Sequence, residues 1–255
     1  PARAAGAPLL SFTSDEAQAG QGVWVLGITP TQVARRLAGS AVAAGARRIG
    51  LVGADDEFGR RVAAALRDAL AGAGLPPPMV MLTRSGSDPG QNGRDFAARV
   101  AAEGAVDAIV LAQSGGPARL AAQGLAAAGL TPMPSLYGTH LWSGDAQLAQ
   151  EPALSSAGYA GPDPVVRGSF DSRFQQAFGE RPSRLAGTAY DAAALAARAA
   201  RDGGRALPIG EAFQGADGPI RLMPDGTLAR GLAILEVGRG GVAREPAPIP
   251  GAAGS

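Results

Sequence analysis

The residue types of nucleophilic catalysis come together once in this chain, around His140, the only histidine, which is followed by Trp142, Ser143 and Asp145. A Ser-His-Asp triad needs side chains converging from separate elements, and its serine needs a sharp strand-to-helix elbow of the G-x-S-x-G type. Residues crowded into one loop do not converge in that way, and the chain contains no such elbow. A histidine that lines a cleft or caps a helix is the better reading, and no enzymatic activity is expected. Cysteine is absent and all 23 basic residues are arginine. Thiolate chemistry, Schiff-base lysines, the Walker lysine and cysteine zinc sites are thereby excluded together. Neither a cofactor nor a metal is expected.

The remaining chemistry-bearing groups each have a structural explanation beside the functional one. Asp55, Asp56 and Glu57 could meet a metal or an ammonium group, yet carboxylates at a helix start are what the dipole favours without any ligand. Gly86 to Gly93 (GSDPGQNG) has EF-hand-like composition but lacks the alternating acidic ligands and terminal Glu, so it reads as a mobile loop. Ser114 and Gly115 precede a helix expected from Pro117, where backbone amides could meet an anion, although the sequence is also a common turn. Ser11, Thr13 and Ser14 are small hydroxyl donors suited to a ligand carboxylate. They serve equally well to cap the end of a strand.

The elements that must position these groups are legible from periodicity. Ile49 to Val52 is an apolar run of buried-strand length, and Phe58, Val62, Leu66 and Leu70 then recur on one helical face. The same register repeats through strands at Met79 to Thr83, Ala108 to Ala112 and Ser135 to Tyr137, with helices at Gly93 to Glu103 and Pro117 to Ala128 between them. Alternation of this kind means a parallel sheet covered by helices. Turns after helices are rich in Ala, Gly and Pro, whereas turns after strands are polar (GADDEFG, AQSGGP, GTHLWSGD). In open α/β sheets ligands bind beyond the carboxyl ends of the strands, so the polar loops mark one rim.

Upstream, PLLSFT and GVWVLGI read as strands, and Thr29-Pro30-Thr31-Gln32 starts a helix with a capping threonine, a proline at the first helical position and a glutamine three residues after the cap. Pro1 to Pro8 reads as the end of a helix and its turn. Downstream, Ser169 to Phe178 and Arg184 to Arg201 read as helices, and Ile220 to Met223 with Ala229 to Val237 as a hairpin across Pro224-Asp225-Gly226. A chain of 255 residues with 46% hydrophobic and 18% charged content buries a real core. The formal charge of +1 with scattered arginines gives no reason to expect nucleic acid.

PLLSFTSD, RRIGLVGADDEFGRR, GTAYDAAALA and GADGPIRLMPDGTLARGLAILEVGRGG, in that order, resemble the type I periplasmic binding proteins of the leucine/isoleucine/valine-binding branch. Within it, YGTHLWSGDAQLAQEPAL, GPDP and RLAGTAYDAAALA are most similar to alphaproteobacterial penicillin-binding protein activators. The resemblance implies an α/β fold of two doubly wound parallel-sheet lobes, with the start of lobe one preceding Pro1 and the first lobe therefore incomplete. It implies a partial lobe one at 1–35 and 166–214, lobe two at 36–165 and 215–240, and a flexible tail at 241–255. It implies a protein exported to the periplasm, with a signal or lipid anchor on the preceding segment and no other membrane attachment. The implied function is a non-catalytic regulator that binds a peptidoglycan synthase, with a solute receptor partnered by an ABC permease as the alternative. The ligand positions implied are Ser11, Thr13, Ser14, Phe58, Ser114, Gly115, His140 and Trp142. Phe58 stands where the family usually has tyrosine, and phenylalanine cannot donate a hydrogen bond.

Overall fold

The computed structural model of the chain describes residues 7–84, 86–201, 207–239 and 242–251. The reading of Pro1 to Pro8 as a helix end falls mostly outside them. The chain divides into two compact units, one made of Pro1–Gln32, Pro162–Leu232 and Ala247–Ser255, the other of Val33–Gly161 and Ala233–Pro246.

In unit 1, β1 (Leu9–Ser11) and β2 (Val23–Val25) pair in parallel. Helices α5 (Pro164–Phe178) and α6 (Arg184–Arg201) follow, and β8 (Ala212–Gly215), β9 (Gly218–Leu222) and β10 (Leu228–Arg230) form an antiparallel meander. Leu26, Leu195, Leu207, Ile220, Leu222 and Leu228 form its buried core, so strand, helix and meander share one apolar cluster. That packing is why residues 215–232 group with unit 1 and not with lobe two, where the sequence resemblance put them. The helix start at Thr29 is a reciprocal capping box: Gln32 N–H donates to Thr29 Oγ1 and Thr29 N–H to Gln32 Oε1, both at 3.3 Å. Gln32 Nε2 also donates to the Leu228 carbonyl, tying that cap to the meander.

Unit 2 carries α1 (Pro30–Ala43) from its Val33 onward and a seven-stranded sheet in the order β12-β11-β7-β6-β5-β3-β4. The parallel members are β3 (Ile49–Ala54), β4 (Met79–Thr83), β5 (Ala108–Ala112), β6 (Ser135–Gly138) and β7 (Gly158–Gly161); β11 (Ala233–Glu236) and β12 (Val242–Glu245) run antiparallel. The connecting helices are α2 (Glu57–Gly72), α3 (Pro89–Glu103) and α4 (Gly115–Ala127). Every residue of β5 is buried, as a strand covered on both faces requires. The crossover from β3 to β4 runs opposite to those from β4 to β5 and β5 to β6. With right-handed connections, α2 lies on one face and α3 and α4 on the other. There α3 and α4 approach closely, since a Cβ at Gly93 would overlap the Ala121 carbonyl and one at Gly124 the Gly90 carbonyl.

Beyond helices α4 and α5 starting earlier than expected and the unexpected strands β7 and β8, three stretches differ from the sequence expectation. The apolar run Ala229 to Val237 is two strands, not one: the chain leaves the unit 1 meander after Arg230 and enters the unit 2 sheet at Ala233. Pro89 to Asn92, expected within a mobile loop, is the first turn of α3, because Asp88 accepts from Gly90 N–H and Pro89 suits the first helical position. Within the expected tail, Val242–Glu245 pairs with β11 as an edge strand, while 241 and 252–255 lie outside the described residues.

At the amino ends of the strands, Asp107 Oδ2 accepts from Arg48 N–H at 2.8 Å and Arg47 N–H at 2.7 Å, while Asp107 N–H donates to the Arg48 carbonyl. These bonds, Arg48's first, hold the Asp107 carboxyl below the usual aspartate range. A depressed folded-state pKa stabilises above the unfolded value and stops doing so as pH falls through the folded one. Asp107→Ala is therefore expected to cost unit 2 about 0.5–1 kcal/mol at neutral pH, the lower end for hydrogen bonds to an exposed carboxylate screened by solvent, with the deficit shrinking on acidification. Denaturant titrations of both proteins across acidic pH check this, and a deficit constant with pH would contradict it.

Candidate functional site

The switch point of the unit 2 sheet lies where β3 is flanked by β4 on one side and β5 on the other, which is where ligands bind in doubly wound sheets. The segments leaving β3, β5 and β6 meet there, and they carry Phe58 and Gly115 in the first turns of α2 and α4, Ser114 just before α4, and His140 just after β6. The half-buried rings of Phe58 and His140 pack edge to face, with centroids 6.0 Å apart and planes at 64°. Offset edge contacts of this kind give an aromatic wall with a defined geometry.

The acids of the first loop are engaged in structure. Asp56 caps α2 by accepting from Gly59 N–H at 2.7 Å, Asp55 pairs with Arg60 at 2.6 Å, and Glu57 pairs with Arg61 at 2.7 Å. Among the described residues no group of three or more His, Asp or Glu side chains is placed to hold a metal ion. The expected anion position at α4 is also taken from within. Gly115 has φ +23°, and a Cβ there would overlap Asp145 Oδ2, so the chain's own carboxylate stands at that positive helix end. Ser114, the N-cap of α4, is exposed and makes no side-chain cap.

Trp142 does not present its ring at the rim. It is 1% exposed, its Nε1 donates to the Gln113 carbonyl at 2.8 Å, and its indole lies flat where a side chain on Gly138 would be. The residues of the tempting triad diverge: Ser143 Oγ lies against Gly161 of β7, whereas Asp145 lies against Gly115 of α4. In unit 1, the Thr13 hydroxyl accepts from Asp15 N–H at 3.0 Å and its carbonyl from Gly27 N–H, which makes it part of a turn. Ser11 pairs within the parallel sheet through its backbone, and Ser14 is exposed beyond it.

Sequence reasoning missed Gln113. It follows β5 directly at the switch point, is 8% exposed, and its side-chain Oε1 has no hydrogen-bond partner among the described residues. A buried polar atom without a partner at a strand end is a group a ligand can satisfy. Its one sequence signal was position, immediately after a buried strand. Also missed was a buried charge cluster in unit 1. Arg230 Nη1 lies 3.6 Å from Asp191 and 3.7 Å from Asp217, and Asp217 also pairs with Arg167 at 2.9 Å. Burial pushes the Asp191 carboxyl above its usual range, with Arg230 opposing the shift.

The family model of the periplasmic binding proteins matches residues 2–241. The chain belongs to this family. The fold is that of type I periplasmic binding proteins, as solved structures also show. A Rhodospirillum rubrum protein, described as a proposed branched-chain amino acid ABC transporter, shares it at a TM-score of 0.77 and 19% identity over 97% of this chain and 74% of its own. A leucine binding protein of Thermotoga maritima does so at 0.69 and 17% identity, over 98% and 75%. A solute binding protein from R. palustris in complex with benzoate does so at 0.67 and 18% identity, over 100% and 75%. No curated protein matches the chain. No helix among the described residues is long and apolar enough to cross a membrane.

Proposed function

We propose that this periplasmic binding protein is the solute receptor of an ABC importer, acting in the periplasm with a permease as partner, and that its ligand has an aromatic body rather than being a free amino acid. The observation that carries the ligand class is the edge-to-face pair of Phe58 and His140 on the switch-point rim. An aromatic ligand face finds a complementary wall there, while Phe58 offers no hydroxyl to an amino acid. Solved relatives are described in complex with benzoate and 4-hydroxybenzoate, as well as with leucine, so the fold accommodates both classes. The unpartnered Gln113 Oε1, just beyond β5, offers a ligand one hydrogen-bond acceptor. The reading as activator of a peptidoglycan synthase rests on sequence wording, and no feature of the rim or description of a relative favours it.

Calorimetric titration with benzoate, 4-hydroxybenzoate and leucine tests the proposal. An aromatic acid is expected to bind with a dissociation constant near micromolar, roughly −8 kcal/mol, and leucine about a hundredfold more weakly. Phe58→Ala should weaken aromatic binding by about tenfold, the scale of one aromatic contact. Micromolar leucine binding without aromatic binding would reverse the ligand assignment. Absence of binding to every solute of both classes would remove the support for a receptor.

A further inference from the structure

Unit 2 holds a recess whose described lining is distinct from the Phe58 and His140 wall. Its volume is about 290 Å³, and Trp142, Tyr159, Leu148, Val237, Asp145 and Ala149 are among the residues lining it. The indole and phenol rings form one side, with centroids 6.3 Å apart and planes tilted by 44°. The indole is fixed from behind by its bond to the Gln113 carbonyl, so this wall is rigid. Tyr159 is 8% exposed and its ring lines the recess. Burial raises its pKa, which keeps it a neutral phenol. A tyrosine in such a wall presents an apolar ring together with a hydroxyl that can donate or accept one hydrogen bond. Here the hydroxyl belongs to a ring that lines a recess large enough for a small molecule, given that an apolar cavity of about 150 Å³ holds benzene.

We propose that this recess is a second ligand site, built for a small neutral molecule with an aromatic or aliphatic body and one hydrogen-bonding group that meets the Tyr159 hydroxyl. The lining is mostly aromatic and aliphatic, which suits the body of such a molecule. Among the described residues that line it, the one charged group is the Asp145 carboxylate. Anionic solutes are therefore disfavoured here, which separates this site from a receptor site for an aromatic acid.

Fluorine NMR line broadening tests the site with 4-fluorobenzyl alcohol as the neutral probe and 4-fluorobenzoate as its anionic counterpart. The alcohol is expected to bind saturably, with a dissociation constant tighter than about 1 mM, and the benzoate not to compete with it. Ala149 is exposed at the mouth, so Ala149→Trp should fill the recess without disturbing the core and abolish alcohol binding. Tyr159→Phe should weaken it by about fivefold, the loss of one hydrogen bond. Phe58→Ala should leave it unchanged, so failure of the receptor proposal and failure of this one are distinguishable. The proposal is overturned by the absence of saturable broadening, by alcohol binding that survives Ala149→Trp, or by equal competition from the benzoate.

Discussion

Arg230→Met is expected to destabilise unit 1 by about 3–5 kcal/mol at neutral pH, the usual cost of removing one partner from a buried ion pair. Arg230 is wholly buried, and its Nη2 donates to the Leu26 carbonyl at 3.1 Å while Nη1 faces Asp191 and Asp217. Methionine fills comparable space but leaves the Asp191 carboxylate, itself 1% exposed, without a facing cation. The pH dependence has a definite sign. Burial already raises the Asp191 carboxyl, and losing Arg230 removes the main opposing influence, so the carboxyl rises further. A group with a raised folded-state pKa stabilises below its unfolded value and loses that contribution as pH rises through the folded one. The deficit of the variant should therefore be largest at neutral pH and shrink on acidification. Adding Asp191→Leu should restore part of the stability, because an apolar replacement of the pair removes the stranded charge. Hydrogen exchange resolves the effect by unit: amides of 212–230 should lose protection while those of 108–112 keep theirs. Equal loss in both units, or a variant as stable as the parent, would contradict this account.

Gly138→Val is expected to cost unit 2 about 3 kcal/mol or more, on the scale of overpacking combined with displacement of a buried aromatic. The glycine ends β6, and a Cβ there would overlap the six-membered ring of Trp142. The indole cannot yield in place, since its Nε1 is held by the Gln113 carbonyl and its far side meets Tyr159. It must leave, taking with it the bond that links the β5 and β6 strand ends. In a Trp24→Phe background Trp142 is the sole tryptophan, and its emission should shift to the red as the ring meets water. Binding of 4-fluorobenzyl alcohol should vanish with it, because the indole is one wall of the recess. A stability change under about 0.5 kcal/mol with unaltered emission would show that the position tolerates a side chain.

Local chemistry determined much of what the chain becomes. The Thr29 to Gln32 cap forms as its residue types dictate, and α6 spans Arg184–Arg201 as its pattern predicts. The apolar runs of β3, β4 and β5 pair in parallel, so the rim of polar loops was readable from composition and alternation. These features depend on neighbours within a turn or on side-chain period, which sequence displays directly. Other features depend on which distant segments meet. The apolar run from Ala229 to Val237 carries no mark of the point where one sheet hands the chain to another, because both halves are equally hydrophobic. Strand β7, Gly158-Tyr159-Ala160-Gly161, has little intrinsic strand preference and is ordered by β6 and β11 on either side. Gln113 is an ordinary polar residue until burial leaves its side-chain Oε1 without a partner. Trp142 reads from sequence as a rim residue, and the absence of a side chain on Gly138 sends it into the core instead. The sequence by itself determined the elements, their caps and the polar rim. Tertiary packing decided which of those polar and aromatic groups were satisfied internally and which were left facing a site, since that depends on contacts between residues far apart in the chain.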